Sequence, residues 1–77
     1  MGMEWDEDID AIGLLCPLPV LRLRKRLQGH ASGAVVRLLA DDPAAMIDVA
    51  HFCNEQGHAL IGQSDVDQAQ AYLVRKG

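Results

Sequence analysis

Three observations predict a two-layer α/β sandwich. Strand-like and helix-like stretches alternate along the chain, two of the helical stretches open at prolines, and two strand-like segments close it as a hairpin. The order reads β-α-β-α-β-β. Right-handed β-α-β crossovers would place both helices on one face of a four-stranded mixed sheet.

Asp8 to Ala11, with Ile9 and Ala11 on one side, reads as a short strand. Pro17 to about Gln28 reads as a helix that stops before Gly29, a residue type that favours helix ends. "AVVRLLA", Ala34 to Ala40, is a short apolar run with β-branched residues and reads as a buried strand. Asp42-Pro43 sets an N-cap before a proline suited to the first helical position, opening a helix that runs to Gln56 and ends at Gly57. His58 to Ser64 and Ala69 to Lys76 are the closing strands, with Asp65-Val66-Asp67 as the turn between them.

With 77 residues, 49% of them apolar, the chain suits one domain with a modest core. Residues 8–77 are assigned to that domain and 1–7 to a loose tail, in which Trp5 either covers the sheet or stays free. No apolar run approaches the roughly 18 residues that cross a bilayer, and Met1 to Asp10 is acidic rather than basic and then apolar. A cytoplasmic protein with no membrane contact is expected. A net charge of −4 argues against direct nucleic-acid binding, although Arg22, Arg24, Lys25 and Arg26 supply four of the seven basic residues.

The chemically suggestive stretch is "GLLCPLP", Gly13 to Pro19. With Cys16 as N-cap and Pro17 at the first helical position, the missing proline N–H costs no helical hydrogen bond. Pro19 lacks an N–H as well, which leaves the Leu18 amide as the near backbone donor for the sulfur. The helix dipole would then favour the thiolate modestly. Such mild activation suits a thiol that both takes and gives sulfur, because nucleophilicity falls as thiol pKa falls.

Other chemistry has weaker support. No second cysteine lies near Cys16, so a C-x-x-C redox couple is excluded, and the two cysteines are expected to stay reduced. His30, His51 and His58 show no zinc-like spacing, and no metal or cofactor is expected. A Cys-His hydrolase is not excluded by spacing, but so short a chain has little room for a substrate pocket. Cys53 shares an arc with Met46, Val49 and Ala50 and reads as a buried small hydrophobe. His58 reads as a local hydrogen-bonding partner for loop backbone, Asp42 as a helix cap and Asp41 as loop polarity.

At ~100° per residue, Val20, Leu23 and Leu27 share the arc of the first helix that packs on the sheet. Arg22, Lys25 and Arg26 share the outward arc, with Leu18 at its edge. That arc is either a plain solvated face or a docking surface for an acidic partner beside the thiol.

"DAIGLLCPLPVL", Asp10 to Leu21, resembles the Cys-Pro-x-Pro signature of the TusA/SirA-like sulfur carriers, and "DDPAAMIDV" and "GHAL" are similar to later stretches of that family. The resemblance covers nearly the whole chain. It implies a βαβαββ sandwich and a sulfurtransferase of the carrier type, in which Cys16 holds sulfane sulfur as a persulfide. It also implies that Pro17 and Pro19 shape the motif, and that Asp10 and Gly13 support it structurally. Leu15 departs from the basic residue frequent there, which reduces local positive charge.

The partners implied are a cysteine desulfurase or rhodanese as donor and a DsrE-like carrier or other thiol protein as acceptor. The pathways implied are tRNA thiolation, molybdenum-cofactor metabolism and other sulfur metabolism. The competing reading is a non-catalytic regulatory or interaction module that binds protein or RNA through the basic face. A cysteine at a helix start argues against it, since Ser, Thr, Asp or Asn would cap as well without an oxidisable thiol.

Overall fold

The computed structural model describes residues 4–77 and has the expected element order. β1 (Glu7–Asp10) leads through α1 (Leu18–Leu27) to β2 (Val35–Ala40). α2 (Ala45–Gln56), β3 (Ala59–Val66) and β4 (Ala69–Arg75) follow. The sheet order is β1-β2-β4-β3, with β1 parallel to β2 and the other pairs antiparallel. β1 and β3 are therefore the edges, and β3 carries a register break between Leu60 and Gly62.

Register places the core on one face. Ile9 pairs with Leu38, Leu38 with Tyr72, and Val36 with Val74, so these side chains share a side of the pleat. They form one buried cluster with Leu23 and Leu27 of α1 and Val49 and Phe52 of α2. A single cluster fed by both helices puts both on the same sheet face. No helix among the described residues is long and apolar enough to cross a membrane.

Several local expectations need correction. The helix N-cap is Pro17, not Cys16, and the Leu18 amide donates to the Leu15 carbonyl at 2.8 Å. That donor is thus consumed by a turn rather than offered to sulfur. Pro19 is not only a helix-start residue, since it is fully buried beneath the motif. α2 begins at Ala45 because Asp42 caps a preceding turn, accepting the Ala44 N–H on Oδ1 at 3.2 Å. Its buried stripe is Ala45, Val49, Phe52 and Cys53, while Met46 and Ala50 face outward.

The hairpin turn also moves. Pairing continues to Val66 and Ala69, which leaves Asp67 and Gln68 as a two-residue loop. Of the two aspartates expected in the turn, only Asp67 adopts a positive φ, 55°.

The face of the sheet away from the helices carries Arg37, which bonds Asp8 at 2.7 Å and lies 4.3 Å over the Trp5 ring. Glu7, paired in register with Val36, points instead to the helix side and meets Arg26 and His30 at the end of α1.

Candidate functional site

The parallel pairing of β1 and β2 brings their C-terminal ends side by side, where ligand sites of open α/β sheets form. Two loops leave from there, one carrying Gly13 to Pro17 and the other carrying Asp41 to Ala44. The second loop holds the first. Asp41 Oδ1 accepts the Gly13 N–H at 2.9 Å, and Asp42 Oδ2 accepts the Cys16 N–H at 2.5 Å.

The supporting residues act locally. Asp10 Oδ1 accepts the Ile12 N–H at 2.9 Å, tightening the exit of β1, and its carbonyl accepts from Arg22 Nη1 at 2.7 Å. Gly13 has φ +82°, a conformation that a side chain would strain. The Cys16–Pro17 peptide is cis. Cys16 itself is exposed and unpaired, whereas Cys53 is a buried free thiol.

Burial pushes the Cys53 thiol up to about 11, so it remains protonated and enclosed. Cys16 is also raised, against the expectation of a helix-favoured thiolate. The causes are a hydrogen bond from the thiol to the Asp48 carboxylate, partial dehydration, and the charges of Asp48 and Asp42. Cys16 lines a hollow with Asp48 and Glu55 of α2, while the Leu18 amide of α1 is taken by Leu15.

Two hollows flank the motif. One, about 200 Å³, has Cys16 at its edge, Val20 and Phe52 as its apolar side, and Asp48, His51 and Glu55 from α2. The other, about 310 Å³, is formed by Leu14, Leu18, Leu21, Arg22 and Lys25. A larger hollow of about 560 Å³, between Ile12, Leu39 and the Asp67 turn, does not include the thiol.

The α1 surface thus joins Leu18, Arg22 and Lys25 in one groove and adds Leu14 and Leu21. Arg26 is turned toward an ion pair with Glu7, away from that groove. His58 accepts the Gly77 N–H on Nδ1 at 3.0 Å, and its ring lies 5.4 Å from that of Phe52, so its partner is distant backbone rather than its own loop.

Asp41, Asp42 and Asp48 are the residues that sequence reasoning underrated. The available signal was the crossover itself, since paired parallel strands deliver their following loops to one place.

A family model described as Sulfurtransferase TusA matches residues 7–76. Among solved structures, the chain is similar to a SirA-like protein from Desulfitobacterium hafniense at 26% identity. The TM-score is 0.81, over 94% of this chain and 99% of that one. With the fold matched throughout and the family model spanning both helices and all four strands, the chain belongs to the TusA family of sulfurtransferases.

Proposed function

We propose that this protein is a sulfur-relay carrier that takes sulfane sulfur onto Cys16 as a persulfide and passes it to an acceptor thiol. The observation that carries this reading is an exposed, unpaired thiol whose own amide is fixed by Asp42, beside an apolar groove with a basic rim. An exposed sulfur on a fixed backbone suits exchange between macromolecules, because the reacting atom is presented rather than enclosed. Family membership supports the same chemistry.

In loading, Cys16 Sγ bonds to the outer sulfur of the donor persulfide as the donor's S–S bond breaks. The products are the Cys16 persulfide and the donor thiol, with the Cys16 proton balanced onto the leaving sulfur. Delivery is the same exchange with an acceptor thiol as attacker. Each half-step trades one S–S bond for another, so no external oxidant is consumed.

The donor in this reading is a cysteine desulfurase or rhodanese, and the acceptor a DsrE-like carrier or another thiol protein in the cytoplasm. Leu18, Arg22 and Lys25 form the docking rim, and Arg26 extends it toward β1. The delivered sulfur serves tRNA thiolation, molybdenum-cofactor metabolism or related sulfur chemistry.

Intact-protein mass spectrometry after incubation with a cysteine desulfurase and cysteine, without reductant, tests the reading. A one-sulfur adduct is expected on the wild type and on Cys53→Ser, removable by reductant and absent from Cys16→Ser. An adduct that persists in Cys16→Ser overturns the assignment.

A further inference from the structure

The hollow of about 560 Å³ beside the Asp67 turn takes no part in the thiol chemistry. Its position follows from register. Leu38 points to the helices, so Leu39 points to the opposite face of the sheet, where it pairs with Ala71. Ala69 lies two residues from Ala71 and pairs with Val66, so both share that face. The hollow therefore opens on the side that carries no helix. It lies at the end of the sheet where the loops after β1 and β2 meet the β3–β4 turn.

Its floor is apolar and its rim is acidic. Leu39, Val66 and Ala69 come from the sheet, and Ile12, 46% exposed, stands at the edge. Asp41 and Asp67, both exposed, supply the charge from two separate loops. Neither forms an ion pair among the described residues, and no lysine or arginine lines the hollow. Arg37, on the same face of the sheet, is already bound by Asp8. The imbalance extends along the chain. From Leu38 to Val74 there are six acidic residues and no lysine or arginine, whereas α1 alone carries four of the seven basic residues.

We propose that this hollow is a second docking surface, which takes a protein segment presenting an apolar side chain flanked by lysine or arginine. Its sign is opposite to that of the α1 rim, so it selects a different class of partner. This rests on the carrier reading, in which sulfur passes between proteins. The partner's apolar side chain removes Ile12, Leu39 and Val66 from water. Its cationic side chains cover further apolar surface with their aliphatic stems and end at Asp41 and Asp67. The same carboxylates repel phosphate, which sets this surface apart from a nucleic-acid or anionic-lipid contact.

Asp41 joins the surface to the reactive loop. Its Oδ1 accepts the Gly13 N–H at 2.9 Å, and Ile12 directly precedes Gly13. A segment seated there touches the loop at Ile12 without covering the thiol, because Cys16 lines a different hollow. The sulfur stays open to exchange while the partner is held.

The test titrates three acetylated and amidated peptides, Lys-Leu-Leu-Lys, Lys-Ser-Ser-Lys and Glu-Leu-Leu-Glu, into the isotope-labelled full chain by NMR. Lys-Leu-Leu-Lys should shift the amide signals of Ile12, Gly13, Asp67 and Gln68 and bind several-fold more tightly than the other two. Asp67→Asn keeps a residue type that tolerates the positive φ of this turn. It should weaken binding several-fold, as should Ile12→Ser. Glu55→Gln, which makes the same change in net charge away from the hollow, should bind as the wild type does. Absence of binding, shifts centred on α2, equal binding of the serine peptide, or unchanged affinity in folded Asp67→Asn and Ile12→Ser overturns the proposal.

A second measurement follows iodoacetamide modification of Cys16 with the Lys-Leu-Leu-Lys peptide at saturation. The rate should match that without peptide. Strong protection would place the peptide over the thiol and overturn a separate surface. Failure of the wild type to take up sulfur from a cysteine desulfurase would overturn the carrier reading, while the titration, which needs no sulfur, reports separately on the hollow.

Discussion

Asp42 reaches across 26 residues of sequence to hold Cys16 by its backbone, with Oδ2 on the Cys16 N–H at 2.5 Å and Oδ1 on the Ala44 N–H at 3.2 Å. One carboxylate therefore fixes the reactive loop and the entrance to α2 together. Asp42→Ala should cost about 1 kcal/mol in chemical denaturation, the usual cost of a lost cap. It should also speed amide exchange at Cys16, and unchanged exchange there would mean the loop holds its shape without Asp42.

Charge on the α1 rim sets the rate of encounter in the proposed relay. Reversing Arg22, Lys25 and Arg26 to glutamate should slow transfer from the donor, more strongly at low salt than at high salt, because exposed charges are screened. Arg22→Glu and Lys25→Glu should account for most of the loss, since Arg26 is directed toward Glu7. Equal transfer rates across all variants would reduce this surface to a solvated face.

The two thiols should separate cleanly by reactivity. Cys53 is 2% exposed and its thiol is pushed up to about 11 by burial, so the folded protein should take a single alkyl group, at Cys16. A second should appear only in denaturant, as peptide mass mapping would show. Labelling of Cys53 in the native state would reveal an opening of α2.

Acid should loosen the junction between β1 and α1. Hydrogen bonds from His30 and Arg26, and their charges, hold the Glu7 carboxyl below the usual carboxylate range. A carboxylate with a lowered folded pKa contributes stability above its unfolded pKa and loses it as pH falls through the folded one. Glu7→Gln should therefore lower stability near neutral pH and flatten its decline in acid, as urea titrations across pH would record.

Leu23 is fully buried between α1 and the sheet. Leu23→Ala should cost about 2–5 kcal/mol, the range for emptying a buried leucine site. Thermal or urea unfolding measures it directly, and a loss under about 1 kcal/mol would mean the core refills the cavity.

What was legible in the sequence was local or periodic. Gly57 ends α2 in the left-handed conformation, with φ 75°, and the apolar run "VVRLLA" returns as β2, with Val36, Leu38 and Ala40 buried. The prolines marked the start of α1 to within a residue, but not which atoms its first amides would bond. The Leu18 amide went to Leu15, and Cys16 came to line a hollow with Asp48 of α2. These outcomes depend on the docking of α2 beside α1, a tertiary fact that no short window contains. Asp41 and Asp42 were hidden for the same reason: their bonds to Gly13 and Cys16 span 28 and 26 residues.

The two sheet edges also bear on strand pairing between copies of this chain. β1 offers only four residues, three of them acidic, and β3 is broken by its register shift and ends in the exposed polar run Gln63, Ser64, Asp65. Charge on one rim and a kink with polar side chains on the other make each a poor template for another molecule's strand, which blocks edge-to-edge polymerisation. In the proposed relay, the surface around Cys16 is thereby left to partner proteins rather than to strand pairing between copies of this chain.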